Sequence, residues 1–143
     1  MITYIGFLYF FPATIWDLKK KEIPTIYLLI GLGLGNLFFV YDLCSFAGSF
    51  WEILLRFIPG ILFLIFAKVT KEKIGYGDGM ALLSLGELYG WVGVWLIWFG
   101  AIFLSFLWSA LLFLFRKVSL QSTLPFFPTI FLSMLMYYFL SGN

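Results

Sequence analysis

The 143-residue sequence has no histidine and a single cysteine, Cys44, and only 11% of its residues are charged. One cysteine can build neither an internal disulfide nor a CxxC-type zinc site, so Cys44 reads as a small apolar filler. Ordinary soluble domains carry roughly 25% charged residues, and a water-facing surface cannot be assembled from so few. With 63% hydrophobic residues and a mean hydropathy of +1.04, the expected solvent is lipid. No polar stretch exceeds about a dozen residues, which leaves no room for a soluble catalytic domain. The formal charge of +2 is too small to suggest nucleic acid; in such a chain the placement of Lys and Arg carries more meaning than their sum.

What is present is a succession of apolar segments, at about 2–16, 23–41, 50–67, 79–89, 91–115 and 125–140. Lipid offers no partner for unpaired backbone groups, so only helices or closed barrels span it. These runs lack the dyad alternation of barrel strands. The expectation is therefore an all-α, polytopic membrane protein of about six transmembrane helices, with residues 1–143 forming one membrane-embedded domain. The first segment lacks the basic flank and small-residue cleavage site of a signal peptide and reads as a span.

Topology follows from the basic residues. Lys19, Lys20 and Lys21 lie between the first two segments, Lys68, Lys71 and Lys73 between the third and fourth, Arg116 and Lys117 between the last two. These are alternate loops. The opposite side carries Asp42, Glu52 and Glu87, together with Arg56, which reads as an i,i+4 partner of Glu52 with a snorkelling guanidinium. By the positive-inside rule the lysine-rich loops are expected in the cytoplasm and both termini outside, in the cell membrane. The fourth segment is short: 11 residues rise about 16 Å, roughly half of a ~30 Å hydrocarbon core. A crossing there requires either a turn at Tyr89-Gly90-Trp91 below the outer surface or an Asp78 buried among helices.

That topology puts Asp17, at the end of the first segment, and Asp78, at the start of the fourth, on one side at similar depth. Each has an ordinary explanation. Asp17 stands beside three lysines and fits a loop ion pair; Asp78 precedes an apolar run and fits a helix N-cap; Gly75, Gly77 and Gly79 fit a flexible linker. The surrounding residues point elsewhere. Asp17 begins DLKKKEIP, ending at Pro24; Asp78 closes GYGD, from Gly75; and LPFFP runs from Leu124 to Pro128.

In this order, on a chain of this hydropathy, the three stretches resemble the bacterial type IV prepilin peptidases and their archaeal preflagellin relatives, GxGD intramembrane aspartyl proteases, and the resemblance covers nearly the whole chain. It implies that Asp17 and Asp78 are the two catalytic aspartates. It also implies that Gly75, Gly77, Pro24, Pro125, Phe126 and Pro128 position the substrate loop. Phe127 replaces a usual Gly, Met80 stands where many members have Lys, and Thr25 where many have Asn. Larger members bear an amino-terminal methyltransferase part with paired zinc-binding cysteines; nothing before Asp17 matches it, so cleavage without methylation is expected.

The chemistry suits the residues. Two nearby carboxyls share a proton, so that one activates water while the protonated partner hydrogen-bonds the scissile carbonyl. No metal and no cofactor is expected, although a two-carboxylate magnesium site is a lesser alternative. The substrate implied by the family is the leader of a prepilin or pseudopilin: a short basic segment, a Gly, then an apolar helix. Glu22 and Glu72 lie on the same side and read as solvated loop charges. A different class of function stays open: a small proton-coupled transporter, or a membrane subunit of a secretion or pilus assembly, also places carboxyls in the bilayer.

Overall fold

A computed structural model describes residues 2–20, 23–45, 49–70, 75–114 and 126–142. Among them are five helices and no strand: α1 (Ile2–Lys20), α2 (Thr25–Ser45), α3 (Phe50–Val69), α4 (Tyr76–Leu114) and α5 (Phe127–Leu140). The all-α expectation holds. Six transmembrane helices are not shown: the fourth and fifth apolar segments fall within α4, which is interrupted at Gly90. Two helices, Phe50–Val69 and Tyr76–Leu114, are long and apolar enough to cross a membrane.

The element α4 is not straight. Gly90 takes φ 71° and ψ −175° inside it, a left-handed φ that a residue with a Cβ adopts only under strain. The contacts of α3 reveal the consequence. A side-chain carbon at Gly79 would press on Leu64, one at Gly60 on Leu83, and one at Gly86 on the Arg56 carbonyl, so α3 runs antiparallel to the arm before Gly90. Beyond the glycine, Trp95 reaches Leu55 and the Trp98 ring meets Phe63 at 6.3 Å, so α3 runs parallel to that arm. The chain therefore doubles back at Gly90. The first arm, 76–89, rises only about 21 Å, still shorter than a hydrocarbon core.

Proline placement ties these arms together. Pro59 lies inside α3 and cannot donate to the carbonyl four residues earlier. That carbonyl, of Leu55, accepts instead from the Trp95 indole N–H at 3.0 Å, which satisfies a group that helix geometry alone would leave open. On the other flank, α5 runs antiparallel to the second arm. The Ser105 and Thr129 hydroxyls pair at 2.8 Å and Ser133 donates to the Ile97 carbonyl at 2.8 Å. Helix α1 lies against α5 through Phe7 with Phe131 and Phe10 with Phe127.

The interior is filled by Phe10, Leu82, Leu85, Ile97, Ile130 and Met134, all without exposed surface. The periphery is as apolar as the core: Leu8, Ile26, Leu37, Phe106, Leu114 and Phe139 all stand exposed. Such a surface suits a hydrocarbon surrounding rather than water. Lys19, Lys20 and Lys68 are exposed at the end of the bundle where α1 and α3 stop. Lys21, Lys71, Lys73, Arg116 and Lys117 lie outside the described residues, as do Glu22 and Glu72.

Candidate active site

Asp17 occupies the last turns of α1 and is buried, with 7% of its surface exposed. One turn earlier, the Thr14 hydroxyl donates to the Phe10 carbonyl at 2.8 Å and, more weakly, to the Phe127 carbonyl at 3.5 Å. The Phe10 and Phe127 rings stack at 6.1 Å. These contacts seat the start of α5 on α1, and the Phe127 backbone N–H then donates to Asp17 Oδ2 at 3.1 Å. The carboxylate thus receives the amide that opens a neighbouring helix, while Lys21, one of the three lysines of the ion-pair expectation, lies outside the described residues.

Asp78 enters from α4. Its own N–H donates to the Gly75 carbonyl at 3.2 Å, closing the turn that starts the helix. Because α4 begins at Tyr76, Asp78 lies within the first turn, not at the N-cap position. Its half-buried carboxyl faces Asp17 closely enough for the two charges to interact. The structure thus brings together two side chains that are remote in sequence and carried by different helices.

The expected positioning residues surround this pair unevenly. Pro24 is exposed and opens α2, its carbonyl accepting from the Tyr27 and Leu28 amides at 2.9 and 3.3 Å. Tyr27 in turn stacks on Tyr9 at 4.8 Å, and each tyrosine hydroxyl donates to the other's backbone carbonyl. This exchange fixes α2 against α1. Leu28 then sets Gly77 in place, since a side-chain carbon there would stand 3.2 Å from Leu28 Cδ1. Phe126 stacks on Phe63 of α3 at 5.3 Å, and Pro128 falls in the first turn of α5. Pro125 lies outside the described residues.

A glycine at position 75 or 77 can serve a left-handed backbone or a close approach. Among the described residues the glycines with positive φ are Gly90 and Gly142, so the first reason does not apply. At Gly75 an added carbon would meet Asp78 Oδ2 at an ordinary 3.5 Å. Close approach is required at Gly77 alone of the two.

A second buried polar cluster sits at the opposite end. Arg56 is 7% exposed with its guanidinium 5.9 Å from the Phe39 ring and against Gly90. It is therefore packed inside the bundle and does not snorkel. Glu87 is 6% exposed; a side-chain carbon at Gly35 would collide with its Oε2, which has no hydrogen-bond partner among the described residues. Residue patterns gave no sign of the Phe127 amide at Asp17, one of the amides that any helix start leaves without a partner inside the helix.

Chemically, two carboxyls brought together from different helices are able to act as an acid–base couple. One member accepts from a backbone donor and the other stands in the first turn of a helix. Comparison with family models, with curated proteins and with solved structures returns no match.

Proposed function

We propose that this chain is an intramembrane aspartyl endopeptidase of the prepilin-peptidase type, which removes the leader of type IV prepilins or pseudopilins with Asp17 and Asp78. The single observation that carries the reading is the meeting of these two carboxyls at one end of the bundle. The GYGD turn and the start of α5 close around them. Lys19, Lys20 and Lys68 at the same end support a multi-pass arrangement with that end in the cytoplasm and both termini outside. The two arms of α4 serve as two crossings in this arrangement, with Gly90 set below the outer surface.

In the proposed reaction the unprotonated member of the pair takes a proton from water as that water attacks the scissile carbonyl. The protonated member donates a hydrogen bond to the carbonyl oxygen and then its proton as the tetrahedral intermediate forms. The proton gained by the first carboxyl passes to the leaving amine while the second carboxyl takes back a proton from one hydroxyl of the intermediate as the new carbonyl forms, so the pair returns to its starting state with one proton.

Incubation of the purified protein with a prepilin in detergent tests this directly. Release of the leader, with a new amino terminus at the junction before the apolar helix, is the expected result; an intact prepilin under conditions where the protein stays folded would sink the proposal. A second reading has one observation in its favour. Glu87 lies buried on the same arm as Asp78, and two carboxyls along one helix suit a proton-coupled transporter. Proton flux into proteoliposomes containing the protein alone, lost on Glu87→Gln, would favour it over the protease.

A further inference from the structure

We infer that the amino terminus of α5 makes the two carboxyls unequal, so that Asp17 is the standing carboxylate that activates water and Asp78 is the member that carries the proton to the carbonyl. The inference deepens the endopeptidase reading and rests on it for its catalytic meaning, while its cause lies in the hydrogen bonding of one turn.

The first four amides of a helix have no partner within it. In α5 these belong to residues 127–130. Pro128 has no N–H, and the Thr129 and Ile130 amides both donate to the Phe126 carbonyl, each at 3.1 Å. The Phe127 amide remains, and it is directed at Asp17 Oδ2 at 3.1 Å in a buried setting. An N–H donated to an ionised carboxylate is about twice as strong as one donated to a neutral acceptor, and the positive end of α5 adds to the same preference. Both favour the charged form of Asp17.

Among the described residues no equivalent donor serves its partner. Among the described residues no hydrogen bond reaches the Asp78 carboxyl, and its backbone amide is engaged with Gly75. Among the described residues the other charged groups at this end are Lys19, Lys20 and Lys68, all exposed, and the Tyr27 hydroxyl of α2 is turned to the Tyr9 carbonyl. Of the elements packed on α1, α5 carries no charged residue, and its Tyr137 and Tyr138 lie at the far end with Tyr89 and Tyr4. From α4 the group at this end is Asp78 itself, Glu87 lying against Gly35 at the other. On α1, Lys19 and Lys20 follow Asp17 and are exposed, with Lys20 Nζ over the Trp16 ring at 6.0 Å. Phe127 is thus a positioning residue acting through its backbone, and its side chain anchors the turn by stacking on Phe10.

Dicyclohexylcarbodiimide reads this assignment without reference to activity. It takes up the proton of a protonated carboxyl, and the resulting acylisourea rearranges to a stable N-acylurea that peptide mass spectrometry locates. The full chain in detergent is labelled at about pH 7, and each adduct is divided by its yield at about pH 2, roughly two units below the ordinary aspartate value; the division cancels unequal access to the two sites. The normalised Asp78 adduct is expected to exceed that of Asp17 by about tenfold. Phe127→Leu, which keeps the amide, should preserve the preference, and Phe127→Pro, which removes it, should bring the two toward parity. Equal labelling in the wild type, a preference for Asp17, or no adduct on either would overturn the inference, and these outcomes are available even if Phe127→Pro does not fold. The same preparation assayed on a prepilin separates the two levels. Asp78 preference with an uncut prepilin defeats the endopeptidase reading alone, whereas cleavage with equal labelling defeats the assignment alone.

Discussion

At the end of the bundle where α1 stops, a buried carboxylate is met by a backbone amide of α5 and faces a second carboxyl from α4. At the other end, Glu87 is buried to a similar degree but packs on the bare backbone of Gly35, with the Arg56 guanidinium nearby against Gly90 and Phe39. Both places put ionisable groups inside an apolar bundle, which is costly unless they are paired or hydrogen-bonded. Burial therefore does not tell the two ends apart. What differs is how the groups are held. The Asp17 end is assembled by side chains and backbone from all of the helices, whereas the Glu87 end is a site of tight helix packing beside a break in α4.

The comparison would break most visibly in the carboxyls themselves. Asp17→Asn and Asp78→Asn should each lower prepilin cleavage by on the order of 10³-fold, because an amide can neither activate water nor exchange the required proton. Both variants should remain folded in detergent, since Asn is nearly isosteric. Either variant cleaving at the wild-type rate would remove the acid–base role from that position.

A change at the far end should act on stability instead. A side-chain carbon at Gly86 would collide with the Arg56 carbonyl, and backbone cannot yield as a flexible side chain does. Gly86→Ala should therefore cost about 1–3 kcal/mol, read as a lower detergent denaturation midpoint. Gly75→Ala, whose added carbon finds ordinary contact at 3.5 Å, should leave that midpoint nearly unchanged. Equal effects at the two positions would mean that α3 and α4 are less closely packed than described.

Tyr9→Phe sharpens the same contrast at a smaller scale. It removes the hydroxyl donated to the Tyr27 carbonyl at 3.0 Å but keeps the stacked ring, so a loss of about 0.5–1.5 kcal/mol is expected. Smallest of all should be the catalytic effect of Glu87→Gln, with cleavage within about threefold of wild type, as expected of a surface-remote packing residue. Loss comparable to that of Asp78→Asn would move the active centre to the other end.

Much of the architecture was legible from hydropathy, because lipid permits few alternatives to helices. The turn at Tyr89-Gly90-Trp91 was visible as an interruption between two apolar runs, and it is where α4 reverses. The count of crossings was not, since the arm before Gly90 is shorter than a hydrocarbon core and composition does not encode how deep the turn lies. The convergence of Asp17 and Asp78 was legible through alternation of basic loops. The contact between Asp17 and Phe127 was not, because it joins a side chain to a backbone amide over 100 positions away and no residue type announces such a donor. Arg56 shows the opposite failure. Its spacing from Glu52 fits a surface pair, but the close packing of Gly86 and Gly90 against α3 draws it into the interior.

The central claim is that Asp17 and Asp78 act as one unit. It is tested most directly by single-turnover cleavage of a prepilin by Asp17→Asn, Asp78→Asn and the double variant under matched conditions. Residues that share one proton lose their function together, so the double variant should fall no more than about threefold below the poorer single one. If its rate were instead the product of the two separate losses, roughly 10⁶-fold below wild type, the carboxyls would be acting independently, and the acid–base pair would be contradicted.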